Sequence, residues 1–98
     1  MKKICLVCSA GISAKTIVEK INNVLAQDNK EWKFEAITVN NLNTNDYDIV
    51  LLTPQVEYLK NKIIGMLPEN KDIKVEVLPS DLYVKNDAKA IIDFTTNI

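Results

Sequence analysis

Two thiols, Cys5 and Cys8, stand in the stretch KKICLVCSAGISAK, residues 2 to 15, and they are the strongest candidate nucleophiles of the chain. Their C-x-x-C spacing raises three chemistries: a redox dithiol, part of a metal site, or one reactive thiolate beside an inert neighbour. A dithiol needs Cα atoms within about 7 Å. Lys3 to Cys8 (KICLVC) is a short apolar, β-prone run. Three strand residues at about 3.3 Å each hold the two cysteines roughly 10 Å apart. The odd spacing also sends their side chains to opposite faces of a sheet. A metal site needs further Cys or His ligands, and the chain has 2 Cys and 0 His. The third chemistry is left. Cys5 is then a core residue, the usual fate of a small buried thiol.

Cys8 closes the apolar run. Ser9, Ala10, Gly11, Ile12, Ser13, Ala14 and Lys15 follow it, and helical spacing starts at Ile12. Small residues let the backbone curl, and Gly11 tolerates positive φ. Successive N–H groups of such a loop can form an anion nest, to which the positive end of the next helix adds. These surroundings stabilise a thiolate and make it nucleophilic. They suit the oxygens of a phosphoryl group on that sulfur equally well. Ser9, Ser13 and Thr16 can add hydroxyls and Lys15 a charge. From the spacing alone two readings stand: an anion-cradling loop, or an ordinary strand-to-helix turn with a buried cysteine.

The elements that must position Cys8 show in the changing period of the apolar residues. Ile17, Ile21 and Val24, flanked by Val18 and Leu25, predict a helix over residues 12 to 27. Lys33 to Val39 reads as a mixed strand near an edge, and Asp48 to Thr53 as a strongly apolar one. Trp32 and Phe34 read as packing residues. Pro54 fits a first helical turn, Val56, Leu59, Ile63 and Leu67 extend the stripe, and Pro68 stops it. Ile73 to Leu78 alternates as a strand, and Ala88, Ile91 and Ile92 mark a last helix over Asp87 to Thr95. Strands alternating with helices predict an α/β domain: a three-layer, four-stranded parallel doubly wound sheet with helices on both faces. Residues 1–98 read as a single domain. Ligands of such sheets bind beyond the carboxyl ends of the strands, which is where Cys8 falls. Pro54 and Gln55 end the third strand there, and Tyr83 follows the fourth. Each can border the site or simply fit the fold.

Composition removes other classes. All 12 basic residues are Lys, so no Arg can clamp a phosphate bidentately, and no His can act as base or ligand. A net charge of -1 gives no basic field for nucleic acid or an anionic membrane. No apolar run is long enough to span a bilayer, and no signal peptide is expected. Two cysteines, one of them in a strand, suit a reducing cytoplasm.

Strand, cysteine, loop and helix together resemble the phosphate loop of protein tyrosine phosphatases, C-x5-R. Six positions after Cys8 stands Ala14, and Lys15 comes one position late and lacks the planar fork. A loop that holds a phosphoryl group without hydrolysing it suits a carrier. Further along, CSAGIS after the first strand, LLTPQ at the third and LPSDLY after the fourth are similar to the enzyme IIB components of the bacterial sugar phosphotransferase system, lactose/cellobiose/chitobiose type. The resemblance covers essentially the whole chain. It implies a fold like that of low-molecular-weight phosphatases and flavodoxin-like domains. It also implies a protein-phosphocysteine–sugar phosphotransferase. Cys8 would accept a phosphoryl group from phosphohistidine on the IIA component. It would pass that group to a sugar such as cellobiose, chitobiose or lactose, held and selected by the membrane IIC component. No cofactor or metal is implied, the chain is a monomer on its own, and it sits in the cytoplasm, reaching the inner membrane face through IIC. An apolar rim including Ile12 would dock on both partners. Two departures stand out: Ala14 and Lys15 replace the usual loop hydroxyls, and Val84-Lys85-Asn86 follows Tyr83 where Gly is usual. The rivals are a small cysteine phosphatase, against which Ala14 argues, and a non-enzymatic IIB-like regulatory domain. A receiver-like module would need an Asp where Thr53 and Pro54 stand.

Overall fold

A computed structural model describes residues 2 to 9 and 12 to 98, the side chains of residues 12 and 13 excepted. The elements are β1 (Lys2–Cys8), α1 (Ile12–Gln27), β2 (Trp32–Thr38), β3 (Ile49–Leu52), α2 (Lys60–Ile64), β4 (Lys74–Val77), α3 (Ser80–Lys85) and α4 (Ala88–Thr96). The four strands are all parallel, in the order β2-β1-β3-β4. The chain runs outward from β1 to β2, then returns across the sheet to β3. The switch point therefore lies between β1 and β3.

Each face of the sheet carries its own core, which is why the central strands are apolar throughout rather than alternating. Ile4, Leu6 and Cys8 pack under α1 and α4 with Ile17, Ile21, Leu25 and Ile91. Cys5, Val7, Val50 and Leu52 pack on the other side against Tyr47, Val56, Ile63 and Ile73. The expected three layers are present, and Phe34 and Trp32 pack as expected, with the Lys30 ammonium 4.2 Å from the Trp32 ring centroid.

One predicted helix differs from the structure, and one helix of the structure, α3, was not predicted. The stripe from Pro54 to Leu67 is not one α-helix. A tight 3-10 turn spans Pro54–Leu59 with Val56 outside helical geometry at φ -117 and ψ 21, and only five residues of α2 follow. Thr53 O takes the Val56 N–H at 3.0 Å, so the chain turns by i→i+3 bonds. Neither Thr53 nor Leu59 caps its helix with a side-chain hydrogen bond. The helix α3, six residues long, is too short to show a stripe. It begins after Pro79 and ends at Asn86, which holds the left-handed position at φ 57. Asn29 does the same after α1, at φ 54. There Lys30 N–H bonds Leu25 O at 3.0 Å and Asn29 N–H bonds Ala26 O at 3.3 Å, a Schellman closure with Asn in the usual place of Gly.

The outer edge of the sheet is fastened by a side chain. Asn22 of α1 donates from Nδ2 to Phe34 O at 2.9 Å, and its Oδ1 accepts from Phe34 N–H at 2.9 Å. The amide thus mimics one residue of a further strand on the free side of β2.

On the other face, buried Tyr47 donates to Glu35 Oε2 at 2.8 Å. Burial, then this bond and the Glu35 charge, push the phenol well above its ordinary range. A phenol raised on folding favours the folded state below about pH 10, its unfolded value, and that contribution is lost as pH climbs further. Tyr47→Phe is expected to lower stability at neutral pH by about 1 kcal/mol, for one hydrogen bond. It should also flatten the alkaline decline in urea midpoints above about pH 10. Equal alkaline slopes in the two proteins would refute this account.

Candidate active site at the switch point

Cys8 is the last residue of β1 and is 4% exposed. Its thiol donates weakly to Ile37 O, at 3.7 Å. α1 begins at Ile12, so its amino end stands beyond the carboxyl end of β1. The strand register sets the neighbours. Cys8 pairs with Thr38 of β2, and Val7 pairs with Leu52, which puts Thr53 beside Cys8 on the β3 side. Thr53 N–H bonds Val7 O at 3.0 Å and carries the ladder one step past β3.

Of the loop predicted over residues 9 to 15, Ala10, Gly11 and the side chains of Ile12 and Ser13 lie outside the described residues. Ser9 is an exposed bend, and Lys15 and Thr16 are exposed on the first turns of α1. Ala14 is fully buried in the core under α1. The position at which a phosphatase loop would carry its arginine therefore faces the core here.

Thr16, Ile17, Gln55, Tyr83, Val84 and Asn86 line one cleft of about 410 Å³ beside α1. Gln55 and Tyr83, two of the three predicted rim residues, thus meet in one place, brought there by the turn after β3 and by α3. Pro54 is half-buried and starts the 3-10 turn, outside the lining, as is Lys15. The sequence marks Asn86 only within the departure after Tyr83; its place at the cleft depends on α3, which shows no stripe. Thr53 was missed as well. Only the strand order reveals its place beside Cys8.

Cys5 behaves oppositely. It is wholly buried on the far face, and burial first, then the Glu35 charge, push its thiol up to about 12. At neutral pH it stays a neutral thiol. Neither cysteine is in a disulfide. In the folded protein near pH 8, alkylation is therefore expected to spare Cys5, so that at most one adduct forms, on Cys8. Cys5 should react only after denaturation, and intact and digest mass measurements check this. A second adduct on the folded protein would contradict it. Among the described residues no group of three or more Cys, His, Asp or Glu could hold a metal ion.

Fold and site define a class first: a doubly wound α/β domain with a thiol at the carboxyl edge of its sheet, at the switch point. The family follows from comparison. Residues 3–94 match the family model described as "PTS system, Lactose/Cellobiose specific IIB subunit", and the chain belongs to that family. Among solved structures it is similar to the lactose-specific IIB component domain of the phosphoenolpyruvate:carbohydrate phosphotransferase system from Streptococcus pneumoniae. That match has a TM-score of 0.79 and 14% identity over 98% of this chain and 95% of that one. It is also similar to a cellobiose-specific phosphotransferase IIB component protein from Borrelia burgdorferi, with TM-score 0.76 and 26% identity over 98% and 89% of the two chains. The chain is thus a IIB-type domain of a sugar phosphotransferase system, with a phosphoryl-carrier role, and IIB domains work with IIA and IIC partners. Among the described residues no helix is long and apolar enough to cross a membrane.

Proposed function

We propose that Cys8 is the residue that carries the phosphoryl group, taking it from a phosphohistidine on IIA and giving it to a sugar hydroxyl presented by IIC. The observation that carries this reading is the separation of the two thiols. Cys8 ends β1 at the switch point, while Cys5 is locked neutral on the opposite face. In the first transfer the Cys8 sulfur attacks phosphorus in line. An S–P bond forms, the N–P bond breaks, its electron pair stays on the imidazole nitrogen, and the thiol proton ends there. In the second transfer the sugar oxygen attacks, the S–P bond breaks onto sulfur, and the hydroxyl proton leaves to a base and returns to the thiolate. That base belongs to the membrane partner, since no acidic residue stands in the loop. Catalysis is positioning and stabilisation of the equatorial oxygens, mostly by backbone N–H groups of roughly residues 10 to 15.

The cleft of Thr16, Gln55, Tyr83 and Asn86 opens on the same edge and suits the approach of either partner. A β-linked disaccharide such as cellobiose, chitobiose or lactose is the acceptor, selected by IIC. The domain acts in the cytoplasm as a monomer, over residues 1–98, and meets the membrane through IIC. The phosphatase alternative lacks support where it needs it most, because Ala14 is in the core. The test is to incubate the protein with a phosphorylated IIA component of a lactose or cellobiose system and measure its mass. One added phosphoryl group on the peptide holding Cys8 is expected. An unmodified protein, or label on Cys5, would sink the proposal.

A further inference from the structure

One buried polar side chain at the switch point has no hydrogen-bond partner. Thr53 is 1% exposed, and its hydroxyl is the only buried side-chain N or O atom among the described residues left unpaired. An unpaired buried hydroxyl is a liability in a folded protein. It stands immediately beyond β3, in extended geometry at φ -67 and ψ 155, so the alternation of the strand continues through it. Leu51 faces the core under α1 and Leu52 the opposite one, which turns Thr53 to the α1 side, the side of Cys8. The register sets the two side by side on neighbouring strands. On the other flank Thr38 is half-buried rather than buried, and its hydroxyl accepts from Asn41 Nδ2 at 3.0 Å, a bond that does not use its own O–H.

The two protonation states of Cys8 need different partners. As a thiol it donates to Ile37 O. As a thiolate it has nothing to donate, and that carbonyl oxygen faces it as a second electron-rich atom. The sulfur then needs a donor, and a charged acceptor makes a stronger hydrogen bond than a neutral one. We propose that the Thr53 hydroxyl is that donor: it is held unpaired in the resting thiol form and bonds the Cys8 sulfur when the sulfur carries charge. The purpose of the pair rests on the carrier reading above. When the S–P bond breaks and its electron pair stays on sulfur, the Thr53 O–H meets the developing charge. Thr53 thus makes Cys8 a better leaving group toward the sugar and readier to ionise before the first transfer. The charged side chains of the elements on this face, Lys15, Glu19 and Lys20 of α1, Asp81 and Lys85 of α3, and Lys89 and Asp93 of α4, are all exposed, and Tyr83 is half-buried. Among the described residues the Thr53 hydroxyl is an uncharged, unpaired donor within the buried layer.

The test replaces the hydroxyl by a methyl of the same shape. Thiolate absorbance near 240 nm is followed against pH for wild type, Thr53→Val and Thr53→Ser, with Cys8→Ser as the blank. Thr53→Val is expected to move the Cys8 midpoint up by about one pH unit, roughly a tenfold smaller thiolate fraction at a fixed pH below it. Thr53→Ser should return it close to wild type. The melting temperature of Thr53→Val should stay level or rise, because an unpaired buried hydroxyl has been removed. A structural role predicts the reverse pair of results, a fall in stability with an unchanged midpoint. Coincident titrations of wild type and Thr53→Val, a shift that Ser does not restore, or a clear loss of stability in Thr53→Val overturns the proposal. The titration uses no phosphoryl donor. A wild type that titrates as expected yet accepts no phosphoryl group therefore sinks only the carrier reading. Phosphorylation without a Thr53 effect sinks only this inference.

Discussion

Cys8→Ser is expected to reduce phosphoryl transfer through this protein by roughly 10⁴-fold or more, with the fold unchanged, because the nucleophile is the one part of such a site without a substitute. The serine hydroxyl is close in size to the thiol and can keep the hydrogen bond to Ile37 O. Far-UV circular dichroism and the urea midpoint should therefore change little. The hydroxyl does not ionise near neutral pH, and the chain holds no His to serve as its base. Neither neighbour can take over. Ser9 has the same unactivated hydroxyl, and Cys5 points to the other core with its thiol pushed up to about 12. The measurement is the rate of sugar phosphorylation in a reconstituted system of IIA, this protein and membranes bearing IIC. Cys5→Ala serves as the control and should transfer at the wild-type rate. Transfer by Cys8→Ser above about one part in a hundred of wild type would place the nucleophile elsewhere.

The same geometry fits the proposed carrier better than a phosphatase. Release of inorganic phosphate from a phosphocysteine needs a water held in line and a cation fork over the equatorial oxygens. The residue six positions on from Cys8 is Ala14, packed under α1, and the next, Lys15, is exposed on the helix surface. Neither brings a fixed fork to the sulfur.

What could be read from the chain follows from what is local. The opposite placement of Cys5 and Cys8 needs only the pleat of one strand, and the structure puts them in separate cores. The four strands and their parallel order follow from alternating apolar periods, since parallel strands need crossovers. The missing pieces are non-local or short. Thr53 looks like the end of an apolar strand until β1 and β3 are known to be neighbours. α3 has six residues and no stripe, and its end depends on Asn86 accepting a left-handed conformation. The region after Pro54 has helical spacing, yet Val56 leaves helical geometry to reach the core. Asn22 reads as an ordinary polar residue of α1, because its partner lies twelve positions away in another element.

Asn22 supports the second large prediction. Its amide makes two hydrogen bonds to one backbone residue, and that residue, Phe34, is 1% exposed. Asn22→Ala leaves a donor and an acceptor unpaired on the free edge of β2. At about 1–3 kcal/mol for each unpaired group, less what water recovers at a partly open site, the loss should reach about 2–4 kcal/mol. That is a large share of the roughly 5–15 kcal/mol that holds a domain of this size. Equilibrium urea unfolding measures it, with the midpoint falling and the slope unchanged. Asn22→Asp separates the two bonds. Its carboxylate can accept from Phe34 N–H but opposes Phe34 O, and only the protonated acid can donate there. The folded state therefore raises the pKa of this acid above its unfolded value of about 4. Stability that depends on the proton is present at low pH and lost as pH rises through the folded value. Asn22→Asp should thus lie near wild type at about pH 4 and fall toward Asn22→Ala by about pH 7. A freed edge also offers unpaired groups to another chain, so Asn22→Ala should self-associate more readily at high concentration. An Asn22→Ala midpoint within about 0.5 kcal/mol of wild type would show that water fastens this edge as well as the amide does.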